Sequence, residues 1–218
     1  ERIAAGASSM KDPGYPLSMS LSDDGEMLAV SYLTAANGSA GSLVRFYNFG
    51  SGGRDQPNNM VGEFVCDGVI VPEVRYLNGS SCVLFREDGF TIVNGRKKPE
   101  AVVTEQFSAE ICSVFCDDRE IGVIVHNDAE NCGTVMRIYS ADGTPKCSAA
   151  VDLAYERVRV CGGQVIISGR TEFAVYSTDG YLRFEGMLNE GIITDALKIG
   201  NNRFLILTNR RMEVISLK

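Results

Sequence analysis

The chain has no tryptophan, a single histidine and no long apolar run. Each absence removes something. One histidine, His126, cannot supply a two-histidine metal site, and the His-Glu-x-x-His zinc helix is missing. The longest apolar stretches, Ile121–Val125 and Phe204–Leu207, fall far short of a membrane-spanning helix, so no membrane contact is expected from this chain itself. There is no Gly-x-Ser-x-Gly elbow and no phosphate loop with Gly-Lys-Ser/Thr, which removes the common serine-hydrolase and nucleotide-hydrolase signatures. Positive charge is scarce: Lys plus Arg is 21 against 28 Asp plus Glu, a net charge of −7. Nucleic-acid binding rests on a positive surface and is therefore not expected. The one basic cluster, Arg96-Lys97-Lys98 with Glu100 close behind, reads as a solvated turn. No signal peptide is visible at Glu1 and there is no initiating Met, so the chain is read as a processed product, a cut piece or the ordered part of something longer.

Disulfide chemistry is also poorly served. The seven cysteines, Cys66, Cys82, Cys112, Cys116, Cys132, Cys147 and Cys161, are odd in number, irregularly spaced and without a Cys-x-x-Cys pair. Most sit among apolar residues and read as small core hydrophobes. They suggest a reducing compartment, or an anaerobe whose exterior is not oxidising. The apolar fraction of 44% against 22% charged is that of a folded globular protein, and 218 residues can bury a sizeable core without staples.

What the sequence has in quantity is turns. Helical periodicity is nearly absent. Short runs rich in Val, Ile, Phe and Tyr are cut by Asp24-Gly25, Asn37-Gly38, Asn78-Gly79, Asp88-Gly89, Asn94-Gly95, Asp142-Gly143 and Asp179-Gly180. Such pairs between apolar runs are the strongest short-range hairpin signal. Ile138-Tyr139-Ser140-Ala141-Asp142-Gly143 reappears as Val175-Tyr176-Ser177-Thr178-Asp179-Gly180, which points to a repeat of about 40 residues. Four strands fit Leu17–Leu21, Met27–Leu33, Leu43–Tyr47 and Gly62–Cys66. Four more fit Glu73–Leu77, Cys82–Phe85, Thr91–Val93 and Ala101–Phe107, then Ile111–Cys116, Ile121–Val125, Val135–Tyr139 and Cys147–Val151, then Arg157–Cys161, Val165–Ser168, Phe173–Ser177 and Tyr181–Met187. A last unit, Ile193–Ile199, Phe204–Leu207 and Met212–Leu217, has three.

Four antiparallel strands repeated at this spacing predict an all-β fold, a β-propeller of about five blades, in one domain over residues 1–218. Arg2–Ala7 could supply the missing strand and close a ring. Alternatively the chain is the C-terminal part of a larger propeller, the reading favoured here. Thr34–Gly41 and Gly50–Asn59 read as the longest loops, the second as a mobile one.

Ser22-Asp23-Asp24-Gly25, followed by Leu28-Ala29-Val30, resembles the Ser-Pro-Asp-Gly…Leu-Ala motif of propeller repeats, with Asp23 in place of the usual Pro. A wider string, Gly14-Tyr15-Pro16, Ala29-Val30-Ser31-Tyr32-Leu33, Arg45-Phe46-Tyr47-Asn48-Phe49-Gly50, Val71-Pro72-Glu73-Val74 and Asp88-Gly89-Phe90, is similar to an uncharacterised family of propeller-like proteins from Gram-positive bacteria, a domain of unknown function. The likeness covers most of the chain and is strongest over Gly14–Ile121. It implies further blades and a membrane anchor N-terminal to this chain, and an extracytoplasmic location. The cysteines keep a cytoplasmic location as the alternative. It carries over no catalytic residue. There is a distant likeness to Trp-Asp repeats and, through the Tyr-Ser-x-Asp-Gly turns, to quinoprotein blades. The absence of Trp argues against both, and no pyrroloquinoline quinone or other cofactor is expected.

The residues themselves offer weak binding candidates and no catalytic or metal set. His126 ends a strand ahead of Asn127-Asp128-Ala129-Glu130-Asn131. His126, Asn127, Asp128 and Glu130 could form a polar blade-edge loop that contacts a ligand, although the loop lacks the Asp-x-Asp-x-Asp-Gly order of a calcium site. Asn37-Gly38-Ser39 and Asn78-Gly79-Ser80 are sequons that coincide with turns. The expectation is a non-enzymatic interaction or ligand-binding module whose partner is a protein or a cell-wall glycan. The alternative is a propeller enzyme, a metal-assisted hydrolase or glycosidase, with carboxylates at the central channel.

Overall fold

The computed structural model describes residues 12–36, 39–127 and 133–216. Apart from a short 3-10 turn at Pro57–Asn59, the regular structure is β. The first sheet is β1 (Tyr15–Leu21), β2 (Met27–Ala36), β3 (Ser39–Asn48) and β4 (Met60–Cys66), and the second is β5 (Glu73–Tyr76), β6 (Ser81–Arg86), β7 (Gly89–Asn94) and β8 (Glu100–Gln106). The third is β9 (Ile111–Cys116), β10 (Glu120–Asn127), β11 (Gly133–Ser140) and β12 (Pro145–Val151), and the fourth is β13 (Arg157–Val160), β14 (Gln164–Ser168), β15 (Glu172–Ser177) and β16 (Leu182–Met187). The fifth, β17 (Ile193–Gly200), β18 (Arg203–Thr208) and β19 (Met212–Ser216), has three strands among the described residues, and Arg2–Ala7 lies outside them. Every pair is antiparallel and joins strands that follow one another in sequence. This is the all-β arrangement of propeller blades that the turn spacing predicts.

The burial pattern explains why middle strands read as continuous apolar runs and outer strands as alternating ones. β6, β7, β14 and β15 are buried on both faces, whereas β8 and β16 alternate between exposed and half-buried residues. A strand covered on both sides gains from an apolar residue at each position, and a strand at the rim only at every second one. The outermost pair of each four-stranded sheet carries one register shift, at Phe46/Tyr47, Ile92/Val93, Ile138/Tyr139 and Val175/Tyr176. The shift thus recurs at the same place in the repeat, where a bulge bends the rim strand and increases its twist.

Two compact units divide the chain, Glu1–Ile111 and Cys112–Lys218. In the first, Ala29, Val44 and Phe46 of one sheet pack on Val74, Cys82, Leu84 and Val93 of the next. Serine hydroxyls complete this junction: Ser18 and Ser20 of β1 accept the Val74 and Tyr76 N–H groups, and buried Ser31 donates to the Val71 carbonyl at 2.6 Å. The second unit has two such layers. Phe115, Ile124, Met136 and Ile138 meet Val165, Ile167, Ala174 and Tyr176, and on the far face Ile166, Phe173 and Val175 meet Ala196, Phe204 and Ile206. Within each unit, consecutive sheets bury each other's faces, as a stack of blades requires.

One loop expectation fails and the other stands as a loop with its own bonds. Thr34–Gly41 is a hairpin extension in which Thr34 pairs with Gly41, Ala35 with Ala40 and Ala36 with Ser39. Its residues are small and polar, so the ladder is held by backbone bonds and shows no apolar alternation; the Asn37-Gly38 turn lies outside the described residues. Gly50–Asn59 is a run of turns closed by its own bonds, from Gly53 N–H to Gly50, Gln56 N–H to Gly53 and Asn59 N–H to Gln56.

Candidate functional site

Topology sorts the turns. In a four-stranded meander the first and third turns emerge at one end, and the second turn and the link to the next sheet at the other. His126 belongs to the second kind. It is exposed near the end of β10, opposite Thr134 of β11, and Asn127 pairs with Gly133. Asp128 and Glu130 lie outside the described residues. The described part of this candidate site is therefore two residues on a strand end.

A more developed surface lies at the other end of the first unit. It is built from the β1–β2, β3–β4, β5–β6 and β7–β8 turns. Ser22 sets the first one: its hydroxyl donates to Asp24 Oδ1 at 2.6 Å and accepts the Met27 N–H, while Asp24 Oδ1 also accepts the Glu26 N–H. This explains the Ser-Asp-Asp-Gly motif as a turn device. The Asp24 side chain then reaches beyond its own sheet. Arg96, in the β7–β8 turn, donates to Asp24 Oδ2 at 2.5 Å and to Glu26. The Ser22 hydroxyl, then the Arg96 guanidinium, hold the Asp24 carboxyl down at about 2. The basic cluster is thus the solvated turn expected from sequence at Lys97 and Lys98, both exposed, with Lys98 paired to Glu100 at 2.6 Å, but not at Arg96, which clamps two sheets.

Asn48, at the end of β3 and buried, ties the long loop to the same clamp. Its Nδ2 donates to the Arg96 carbonyl at 2.8 Å, and its Oδ1 accepts the Gly50 N–H at 2.8 Å. The loop returns so closely over this strand end that a Cβ at Gly53 would stand 2.0 Å from the Asn48 carbonyl oxygen. Asn59 Nδ2 closes the loop onto the Gly53 carbonyl, and Tyr47 and Phe49 stack at its root with ring centroids 6.5 Å apart. At the β5–β6 turn Asn78 Oδ1 accepts the Ser80 and Ser81 N–H groups, which accounts for that sequon as turn chemistry. Sequence reasoning missed this surface because its defining bonds join residues 48 and 72 positions apart. The available signal was an acidic turn in one repeat with an Arg turn in the next.

Arg96 is neutralised by its two carboxylates. Burial pushes the Cys66 and Cys147 thiols up, away from the reactive thiolate. Among the described residues no three His, Cys, Asp or Glu side chains group to hold a metal, and no helix is long and apolar enough to cross a membrane.

Stacked four-stranded blades and a pinned turn surface define a propeller-class protein, and known structures agree. The chain is similar to the Dos1 propeller (TM-score 0.62, 12% identity, covering 93% of this chain and 57% of that one). It is also similar to BBS1N in its complex with ARL6DN (0.57, 13%, 99% and 66%) and to the Neurospora crassa Pan2 WD40 domain (0.53, 10%, 93% and 64%). The chain thus spans about three fifths of the length of these structures, and the likeness is one of fold. None of the curated proteins matches it in sequence. The family of unknown function DUF5711 matches residues 1–217, and the chain belongs to that family.

Proposed function

We propose that this chain is a non-enzymatic interaction module that binds a protein partner through the turn surface of its first unit. The observation that carries the reading is the pinned Phe49–Asn59 loop. It is held by buried Asn48 and by its own turn bonds, so its polar side chains are presented with little ordering left for binding to impose. The partner class follows a structural neighbour, BBS1N, which is bound to the protein ARL6DN. That neighbour supports the choice by fold alone. In this reading the chain is the distal part of a membrane-anchored protein of a Gram-positive bacterium. Further blades and the anchor precede it, and it faces the outside of the membrane. The family resemblance seen in the sequence supports that placement.

The test is affinity capture with the wild-type chain and with a variant whose residues 50–57 are replaced by a short Gly-Ser turn. A stoichiometric protein partner held by the wild type, and bound at least tenfold more weakly by the variant, is expected. Thermal unfolding against divalent ions, cell-wall fragments and sugars supplies the opposing outcome. A ligand at 100 times its dissociation constant stabilises by about 2.7 kcal/mol. Such a shift with a sugar or metal, and no loop-dependent protein partner, would replace this reading with the enzyme or glycan-binding one.

A further inference from the structure

The second unit holds a buried carboxylate. Glu120, at the start of β10, is 5% exposed. Its Oε1 accepts from Lys146 Nζ at 3.1 Å, and the same ammonium donates to the Thr178 hydroxyl at 3.3 Å. Lys146 lies on β12 and Thr178 in the β15–β16 turn, so the chain Glu120–Lys146–Thr178 ties the third sheet to the fourth. The other oxygen, Oε2, is buried with no hydrogen-bond partner. Asp117, in the β9–β10 turn, is within hydrogen-bonding reach of the Glu120 carboxyl and acts on it as a second negative charge. Asp117 is itself fixed in place, because its Oδ1 accepts the Arg119 and Glu120 N–H groups, both at 2.9 Å.

Two carboxylates and one ammonium leave this cluster with an excess negative charge. A buried oxygen without a donor beside a second carboxylate is unfavourable when both acids are ionised. A proton on Oε2 resolves both problems: it comes from water, forms an O–H bond, and donates to Asp117, while Oε1 still accepts from Lys146. We propose that the buried Glu120 carboxyl takes up a proton at Oε2, which makes the Glu120–Lys146–Thr178 bridge a joint between two blades that tightens under mild acid. Other charges lie in the neighbouring turns. Asp142 of the β11–β12 turn is bonded to Ser140 and the Thr144 N–H, Asp179 beside Thr178 acts on the Cys147 thiol, and Asp118 and Arg119 are paired and exposed. Burial first, then Asp117, push the Glu120 carboxyl up, against the pull of Lys146.

The sign follows from linkage. A carboxyl whose native titration point is raised contributes stability that is complete below its unfolded value and is lost as pH rises through the native one. The decisive experiment is a carboxyl 13C NMR titration of the wild-type full chain, with Glu120→Gln for assignment and Asp117→Asn as partner. The Glu120 midpoint should lie above the ordinary glutamate value of about 4.3. It should fall in Asp117→Asn, whose amide oxygen still caps the turn. A midpoint at or below the ordinary value would mean a plain Lys146 ion pair and overturn the proposal. A raised midpoint indifferent to Asp117→Asn would overturn the part given to Asp117 and leave burial as the cause. Thermal unfolding gives a second readout: the melting temperature of Glu120→Gln minus that of the wild type should rise between pH 4 and 7. A difference that falls over this range would refute the acid-tightened joint, and if the Gln variant does not fold, the wild-type titration still decides.

Discussion

Both units join consecutive blades with a cation at the same end of the sheets, and they do it by opposite means. In the first, Arg96 spans from the β7–β8 turn to Asp24 and Glu26, every group partly exposed and satisfied. In the second, Lys146 reaches Glu120, a buried acid with one oxygen left over. The guanidinium is flat and forked and serves two carboxylates at once; the ammonium is a point charge that serves one acid and one hydroxyl. The difference teaches that a bridge's position in the repeat does not fix its energetics. Desolvation does: the Arg96 clamp is weakened by salt and acid, and the Lys146 joint resists salt and is favoured by mild acid.

The largest expected effect does not distinguish the units. Phe46 and Phe173 are fully buried in the layers of the first and second unit. Phe46→Ala and Phe173→Ala should each cost about 3–5 kcal/mol, read from urea unfolding midpoints. Similar losses would place the fold's stability in the apolar layers and leave the bridges as modifiers. The bridges themselves should then separate. Lys146→Met strands the Glu120 carboxylate without its counter-charge and should cost about 3 kcal/mol near neutral pH. That loss should persist in 1 M salt, where the screening length is about 3 Å. Arg96→Met should cost less and lose its effect in the same salt. If both losses vanish in salt, burial is not what sets the two apart.

How much of this was legible in the sequence follows the range of the interactions. Turns written in adjacent residues could be read directly, so the five units and nearly every strand stand where Asp-Gly and Asn-Gly pairs and β-branched runs put them. The repeated Tyr-Ser-x-Asp-Gly even marks the same bulge in two sheets. Thr34–Gly41 was misread because small residues carry no period-2 signal, although their backbones pair. Gly50–Asn59 is the loop its composition announces, but the bonds that hold it come from Asn48 and from glycines that let the chain return over a strand end, which composition does not show. Arg96 looked like one more surface cation because its partners sit in another repeat. Glu120 carries no local signal, because nothing in the neighbouring residues says that a glutamate opening a strand is buried.

Asn48 links the clamp to the proposed binding loop and gives the next, smaller test. Asn48→Ala leaves the Gly50 N–H and the Arg96 carbonyl without their partner and should cost about 1–3 kcal/mol. In the proposed function it should also weaken partner capture without touching a surface side chain. Lost stability with unchanged capture would separate the clamp from the binding surface.

The smallest effect is the most diagnostic of the comparison. Asp24 is held down at about 2 from an ordinary 3.8, first by Ser22 and then by Arg96. A depressed carboxyl contributes stability that is present above its unfolded value and lost as pH falls through the native one. The Arg96 clamp should therefore weaken between about pH 4 and pH 2, and Asp24→Asn, which keeps the turn acceptor and removes the charge, should be less stable than the wild type at neutral pH and converge with it near pH 2. Glu120→Gln should show the reverse order, converging in mild acid and diverging as pH rises. Melting curves of the wild type and the two variants from pH 2 to 7 check both at once. Opposite slopes would establish that the two blade joints have opposite pH sense, whereas parallel slopes would show that burial does not set them apart.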